Sequence, residues 1–403
     1  MRIMGGYLSR LECSELGCGK QYDATVEQHL CECGGILLAR YDLARLGREV
    51  ARDGMEQRGW WEGLWRYAEL LPVGPGEERV SLGEGATPML PLGWLGEELG
   101  VDVWIKEEGL NPTGTFKARG AAVGVSRAKA LGAKVIALPT AGNAGAAWAA
   151  YSARAGLEVV VAMPKDAATL TQQEVVAYGA RLHLVDGLIS DAGVWVAQGV
   201  REHGWYDAST FKEPYRLEGK KTLGLEIAEQ TGWQPPDVIL YPTGGGVGLL
   251  GLWKAFLELR ELGWVSQDKA LPRLVAVQSA GCAPVVRGWE EGAQKTQFWE
   301  GARTVAAGLR VPGPLAGGLM LRALRETGGM ALAVEDGEIE AAMGEMARRG
   351  LWVCPEGAAL LPAVRRLRAQ GWIAEEERVV LLNTGAGLVY PDVARKSLDH
   401  KGK

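Results

Sequence analysis

From about residue 100 onward, short apolar runs alternate with helical stretches, and this alternation restricts the fold more than any other feature of the chain. The runs are 101–105, 135–138, 159–163, 181–185, 238–241, 274–277 and 379–382, and most are stopped by glycine, proline or a polar loop. Residues 114–131, 145–155, 174–178, 249–259 and 339–349 carry helical spacing. A strand that is apolar along its whole length must be covered on both faces, and parallel strands joined by helical crossovers achieve this. The pattern predicts a doubly wound α/β fold built on parallel sheet. Residues 284–315 show no clear element and are expected to run over the surface.

With 403 residues the chain has room for two or three domains of about 150 residues each. Hydrophobic residues make up 47% and charged residues 23%, a globular composition that excludes general disorder. The 44 basic and 49 acidic side chains leave a formal charge of −5 with no basic tract, which argues against nucleic acid and membrane surfaces as partners. No run reaches the ~18 apolar residues of a membrane span. Residues 1–7 lack the apolar core of a signal peptide, so a cytoplasmic protein with reduced thiols is expected. The histidines are His29, His183, His203 and His400, none in a metal-like pair, so proton transfer falls to another group.

Residues 1–45 stand apart. They hold Cys13, Cys18, Cys31 and Cys33, flanked by Gly17, Gly19, Gly34 and Gly35. Glycines beside cysteines permit tight knuckles around a tetrahedral zinc ion. The spacings of four and one also suit a small β segment of reduced thiols without metal. Residues 46–80 read as helix then loop, and Trp60, Trp61 and Trp65 are expected to pack.

Four loops follow predicted strands, where ligands bind in open α/β sheets. Residues 111–120 (Asn-Pro-Thr-Gly-Thr-Phe-Lys-Ala-Arg-Gly) place Lys117 near a helix start. The positive end of the helix dipole favours a neutral, nucleophilic amine, although a surface lysine would fit this loop alone. Residues 139–146 put Thr140, Asn143 and a set of small residues at another helix start, suited to a carboxylate or to simple capping. Gly244, Gly245 and Gly246, followed by Val247 and Gly248, make an anion nest that matches neither a Walker loop nor a dinucleotide fingerprint. Thr384 lies in the fourth loop, 383–388.

Taken together, these loops resemble the fold-type II pyridoxal-phosphate enzymes, a group that includes threonine synthase, threonine and serine dehydratases and tryptophan synthase β. The match runs from about residue 80 to 390. Residues 83–88 (Gly-Glu-Gly-Ala-Thr-Pro), 111–120, 143–156 and 216–222 bring it nearest to the threonine synthase branch. The cysteine-bearing N-terminus also resembles a segment found in many bacterial and archaeal members. The resemblance implies two doubly wound three-layer α/β domains behind a small N-terminal β segment. The expected division is a zinc-ribbon-like segment 1–45, a large cofactor domain from 46–120 and 214–403, and a small α/β domain 121–213.

Carried over by position, the resemblance implies that Lys117 holds pyridoxal 5′-phosphate as a Schiff base and shuttles protons. Phe116 and Asn143 would contact the cofactor, Asn143 through its 3′ oxygen. Gly244, Gly245, Gly246, Val247 and Gly248 would hold the phosphate, and Thr384 would meet the ring nitrogen. Thr140, Ala141, Gly142 and Ala144 would bind the substrate carboxylate, and Arg216 the substrate phosphate. Lys220 and Lys221 either assist Arg216 or are solvated. The implied reaction turns O-phosphohomoserine and water into threonine and phosphate by γ-elimination and β-addition, in a homodimer. Ala118, Ala144, Gly245 and Gly246 depart from the synthase pattern, and the triple glycine points instead to a dehydratase or a β-replacing, cysteate-synthase-like enzyme.

Overall fold

The computed structural model describes residues 6–391 and 393. In chain order its strands are β1 (Leu8–Cys13), β2 (Gln21–Tyr22), β3 (Leu37–Tyr41), β4 (Met89–Pro91), β5 (Asp102–Glu107), β6 (Val135–Pro139) and β7 (Glu158–Pro164). They continue with β8 (Arg181–Val185), β9 (Tyr206–Asp207), β10 (Val238–Pro242), β11 (Arg273–Ser279), β12 (Met330–Val334) and β13 (Arg378–Asn383). The chain divides into two compact units. One takes in the chain up to Ala86, Lys117–Thr222 and Glu261–Gly263, and the other Thr87–Phe116, Leu223–Arg260 and the chain from Trp264.

The first unit holds two sheets. β2, β1 and β3 form an antiparallel ribbon. β8, β7, β6 and β9 form a parallel sheet in that order. Successive residues of this sheet point into different cores, as strand geometry requires. Ile136, Leu138, Val159 and Val161 pack with the helices Lys117–Ala130 and Asn143–Ala155. Ala137, Val160 and Ala162 pack with Ala192 and Val196 of the helix Ile189–His203. The sheet is thus covered on both faces, giving the three layers expected.

The second unit is built on a six-stranded sheet ordered β12-β11-β10-β13-β5-β4, in which only β4 runs antiparallel. One face carries Val103, Ile105, Val238, Leu240, Val275, Val277, Val379 and Leu381 into a single core. Their neighbours Ile239, Leu274, Ala276 and Val380 are buried as well, so this sheet is also sandwiched.

Three local readings differ. The helix expected from residue 114 starts at Lys117, because Thr113 (φ 61) and Gly114 (φ 66) adopt left-handed backbone conformations that a helix does not accommodate. Residues 284–315 contain the helix Pro284–Glu290, opened by a proline in its first turn, where no N–H is needed. Trp65 packs as expected, but Trp61 is 88% exposed and Trp60 lies over the Arg66 guanidinium, 4.0 Å from its ring centre. No described helix is long and apolar enough to cross a membrane.

Candidate active site

In the second unit, β10, β13 and β5 are parallel neighbours, so the loops that leave them emerge at the same edge of the sheet. Two of these loops are stitched together. The Phe116 N–H donates to the Thr384 carbonyl at 3.0 Å, and the Ala386 N–H donates to the Gly114 carbonyl at 2.9 Å. The Phe116 ring meets Tyr241, at the end of β10, edge-on with centroids 6.1 Å apart. Thr384 is buried, and its hydroxyl oxygen lies 3.6 Å from the Cys354 sulfur. Beside it, Glu107 Oε1 accepts from Asn383 Nδ2 at 2.6 Å and from the Gly109 N–H at 2.9 Å. Burial outweighs these bonds and pushes the Glu107 carboxyl up to about 7.

The loop after β10 runs into the helix Val247–Glu261. Three of its glycines have no room for a side chain. A Cβ would sit 2.2 Å from the Gly308 carbonyl at Gly244, 2.0 Å from Met320 Sδ at Gly246 and 2.1 Å from the Tyr241 hydroxyl at Gly248. Gly246 also sits at φ 84. The turn therefore presents backbone rather than side chains, at a helix start whose first amides have no intrahelical acceptor. Such a cradle fits a phosphate group.

In the first unit, Lys117 is half-buried and opens the helix Lys117–Ala130. Asn143 opens the helix Asn143–Ala155, after Gly142, which takes an extended conformation. The Thr140 hydroxyl accepts from the Gly142 N–H at 3.1 Å, which shapes the turn holding Ala141, Gly142 and Ala144. Arg216 opens the helix Arg216–Gln230. Its guanidinium is buried, donates to Thr210 Oγ1 at 2.9 Å and to the Ala208 carbonyl, and lies 4.9 Å above the Trp148 ring. Glu213 Oε2 is 3.9 Å from Arg216 Nε, and burial pushes the Glu213 carboxyl up. Lys220 and Lys221 are not solvated. Both are buried, and Lys221 Nζ bonds Glu218 at 2.6 Å under the Tyr41 ring. Sequence alone leaves such charges outside, because the groups that cover them, such as Tyr41 over Lys221, come from other elements.

The Gly-Glu-Gly-Ala-Thr-Pro stretch has a role that the sequence does not disclose. Glu84 is fully buried and accepts from Tyr151 Oη at 2.6 Å, from the Leu82 N–H at 2.9 Å and from Ser81 Oγ at 3.2 Å. In the second unit, Thr87 Oγ1 donates to Glu108 at 2.5 Å, and its carbonyl accepts from Lys106 Nζ at 2.7 Å. Lys106 also meets Glu226 at 2.7 Å, with both side chains fully buried. Reading the sequence misses these buried ions. Their local signal is Lys106, a charge directly after the apolar run 103–105 of β5.

Among the described histidines, His29 faces Tyr206, His183 stacks on Trp195 and His203 meets Trp205, and none lies in these loops. His400 lies outside the described residues. The sulfurs of Cys13, Cys18, Cys31 and Cys33 converge, all within 4.8 Å of one another.

The sequence pattern of the family described as pyridoxal-phosphate dependent enzyme matches residues 80–385, which spans the first three loops and reaches Thr384 in the fourth. The chain belongs to this family. Pyridoxal 5′-phosphate is therefore its cofactor, and the backbone cradle at 244–248 accords with a phosphate ester. Similar proteins include threonine synthase of Methanocaldococcus jannaschii, 37% identical over 94% of this chain and 92% of that one. Threonine synthase of Methanosarcina acetivorans is 35% identical over 93% and 91%. Among solved structures, the threonine deaminase of T.th. superposes with a TM-score of 0.62 at 28% identity, over 74% of this chain and 92% of that one. Maize serine racemase superposes with a TM-score of 0.64 at 22% identity, over 79% and 94%, and confirms the fold-type II architecture.

Proposed function

We propose that this family member is a threonine synthase, a carbon–oxygen lyase that converts O-phosphohomoserine and water to threonine and phosphate. The observation that carries this reading is similarity over nearly the whole chain to a threonine synthase, 37% identical across 94% of the residues.

When bound, pyridoxal phosphate supplies an electron sink that acidifies protons of the attached amino acid. The rest falls to this chain. Lys117 would hold the cofactor through its amine and, once released, carry the proton from Cα. Its place at a helix start favours the neutral amine this requires. The amides of 244–248 would hold the cofactor's phosphate. Phe116 would pack beside it, Asn143 would donate to its 3′ oxygen and Thr384 would face its ring nitrogen with a neutral hydroxyl. Thr140, Ala141, Gly142 and Ala144 would take the substrate carboxylate at the start of their helix. Arg216, already held by Thr210 and Ala208, would act as a fixed positive charge toward the substrate's phosphate. Charge placed in advance costs no reorganisation during the reaction. We further infer a cytoplasmic homodimer, on the resemblance alone, and sedimentation analysis tests the assembly.

A second reading has one observation in its favour. The all-glycine turn 244–246 has no side chain to grip a second phosphate, and threonine deaminase shares the fold. Turnover of O-phosphohomoserine, threonine, serine and phosphoserine by purified holoenzyme separates the two. Threonine and phosphate released in equal amounts from O-phosphohomoserine support the synthase. Oxoacid formed from threonine, with no phosphate release, overturns it.

A further inference from the structure

We propose that Cys13, Cys18, Cys31 and Cys33 form a tetrahedral four-thiolate site for one zinc ion, and that this ion anchors the N-terminal ribbon onto the helices carrying Arg127 and Arg216. The spacing is that of a metal site. Four thiolates at about 2.3 Å from a central zinc stand about 3.8 Å apart. Cys13 and Cys33 sulfurs are 3.5 Å apart, those of Cys18 and Cys31 3.7 Å, and all four lie within 4.8 Å of one another. A disulfide needs about 2.05 Å, and no pair approaches it. An iron–sulfur cluster divides four thiolates between two irons or among four, which spreads the ligands wider than a single ion does.

The surrounding chain is shaped for the site. The first knuckle closes when the Cys18 N–H donates to the Glu15 carbonyl at 3.2 Å, and the second when the Gly34 N–H donates to the Cys31 carbonyl at 2.8 Å. Gly17, Gly19 and Gly34 take left-handed conformations at φ 78, 64 and 84. A Cβ at Gly35 would stand 2.8 Å from Cys13 Sγ and 3.3 Å from Cys33 Sγ, so the sulfurs themselves exclude a side chain there. Outer donors are also present. Tyr22 Oη donates to Cys31 Sγ at 3.2 Å and the Glu15 N–H to Cys13 Sγ at 3.5 Å, the kind of support that orients metal ligands. On binding, the thiols lose their protons to solvent and each sulfur donates an electron pair to the ion, with no change of oxidation state.

The segment between the two cysteine pairs gives the ion its anchoring role. Ala24 is buried, and its carbonyl accepts from Arg127 Nη2 at 2.7 Å and from Tyr215 Oη at 3.2 Å. Tyr215 precedes Arg216. His29 packs its ring against Tyr206, 5.6 Å between centroids. Joining Cys13 and Cys18 to Cys31 and Cys33 thus fixes both ends of the segment that caps these groups.

Elemental analysis of holoenzyme purified without chelators tests the proposal, beside the double variant Cys18→Ser with Cys33→Ser, whose sulfurs are the less buried pair. One equivalent of zinc per chain is expected in the parent and none in the variant, with a lowered melting temperature and retained visible cofactor absorption. Retained absorption separates this result from any failure of the pyridoxal-phosphate reading. Parent protein that holds no metal and gives no thiolate bands with cobalt(II), iron in place of zinc, a mass showing two disulfides, or a variant that keeps its zinc would each overturn the proposal.

Discussion

Phe116 donates its backbone N–H to the carbonyl of Thr384 at 3.0 Å. The residue before Lys117 is thereby tied to the loop after β13, and exchanging the lysine side chain leaves that tie intact. Lys117→Ala should therefore fold normally yet lose the visible absorption of lysine-bound cofactor. Phosphate release from O-phosphohomoserine should fall by about 10³-fold or more. Spectra with added pyridoxal phosphate, and circular dichroism as the folding control, check both parts. An unchanged band removes the assignment of Lys117.

Gly246→Ala places a Cβ 2.0 Å from Met320 Sδ at φ 84. Forcing atoms into a filled position costs about 1–3 kcal/mol. Because the displaced backbone is the proposed phosphate cradle, cofactor affinity should drop about tenfold or more, equivalent to roughly 1.4 kcal/mol. Titration of apoenzyme with pyridoxal phosphate measures it, and undiminished affinity would place the phosphate elsewhere.

Tyr151→Phe removes the 2.6 Å donor to buried Glu84. A buried acceptor deprived of a partner costs about 1–3 kcal/mol, more when it carries charge. The variant should melt at a lower temperature at neutral pH while keeping its cofactor absorption. Glu84→Gln combined with Tyr151→Phe should cost less than the sum of the two single changes, because both remove the same hydrogen bond.

Glu107 sets a pH dependence. Its carboxyl rises from 4.5 to about 7 in the folded protein, chiefly through burial. The folded state binds this proton more tightly than the unfolded chain, so the contribution to stability is present below about pH 4.5. It is lost as pH rises to about 7, and then stays constant. Glu107→Gln should flatten that part of the melting-temperature profile. A profile of unchanged slope between pH 4.5 and 7 would contradict the burial argument.

The sequence discloses the parallel strands well, because complete burial leaves an unbroken apolar run. Residues 181–185 coincide with β8, and 238–241 fall within β10. It discloses β12 poorly. Met330–Val334 contains two alanines and follows Gly328 and Gly329, so its apolar signal is weak. The short edge strand β4 gives too little pattern to read. At the site, glycine runs and helix starts are legible because backbone chemistry depends on local spacing. The buried pairs Lys106–Glu226 and Lys221–Glu218 illustrate the limit. Lys106 and Glu226 are 120 positions apart, and only the folded chain joins them. Glu218 sits near Lys221 in sequence, but nothing local announces that Tyr41 and the ribbon seal it from water.

A Cβ at Gly219 would stand 2.0 Å from the Arg119 carbonyl. The helix that begins at Lys117 and the helix that begins at Arg216 thus meet main chain to main chain at this point, which leaves no room there for a side chain. A residue larger than glycine at 219 would wedge the two helix starts apart, and with them the settings of Lys117 and Arg216.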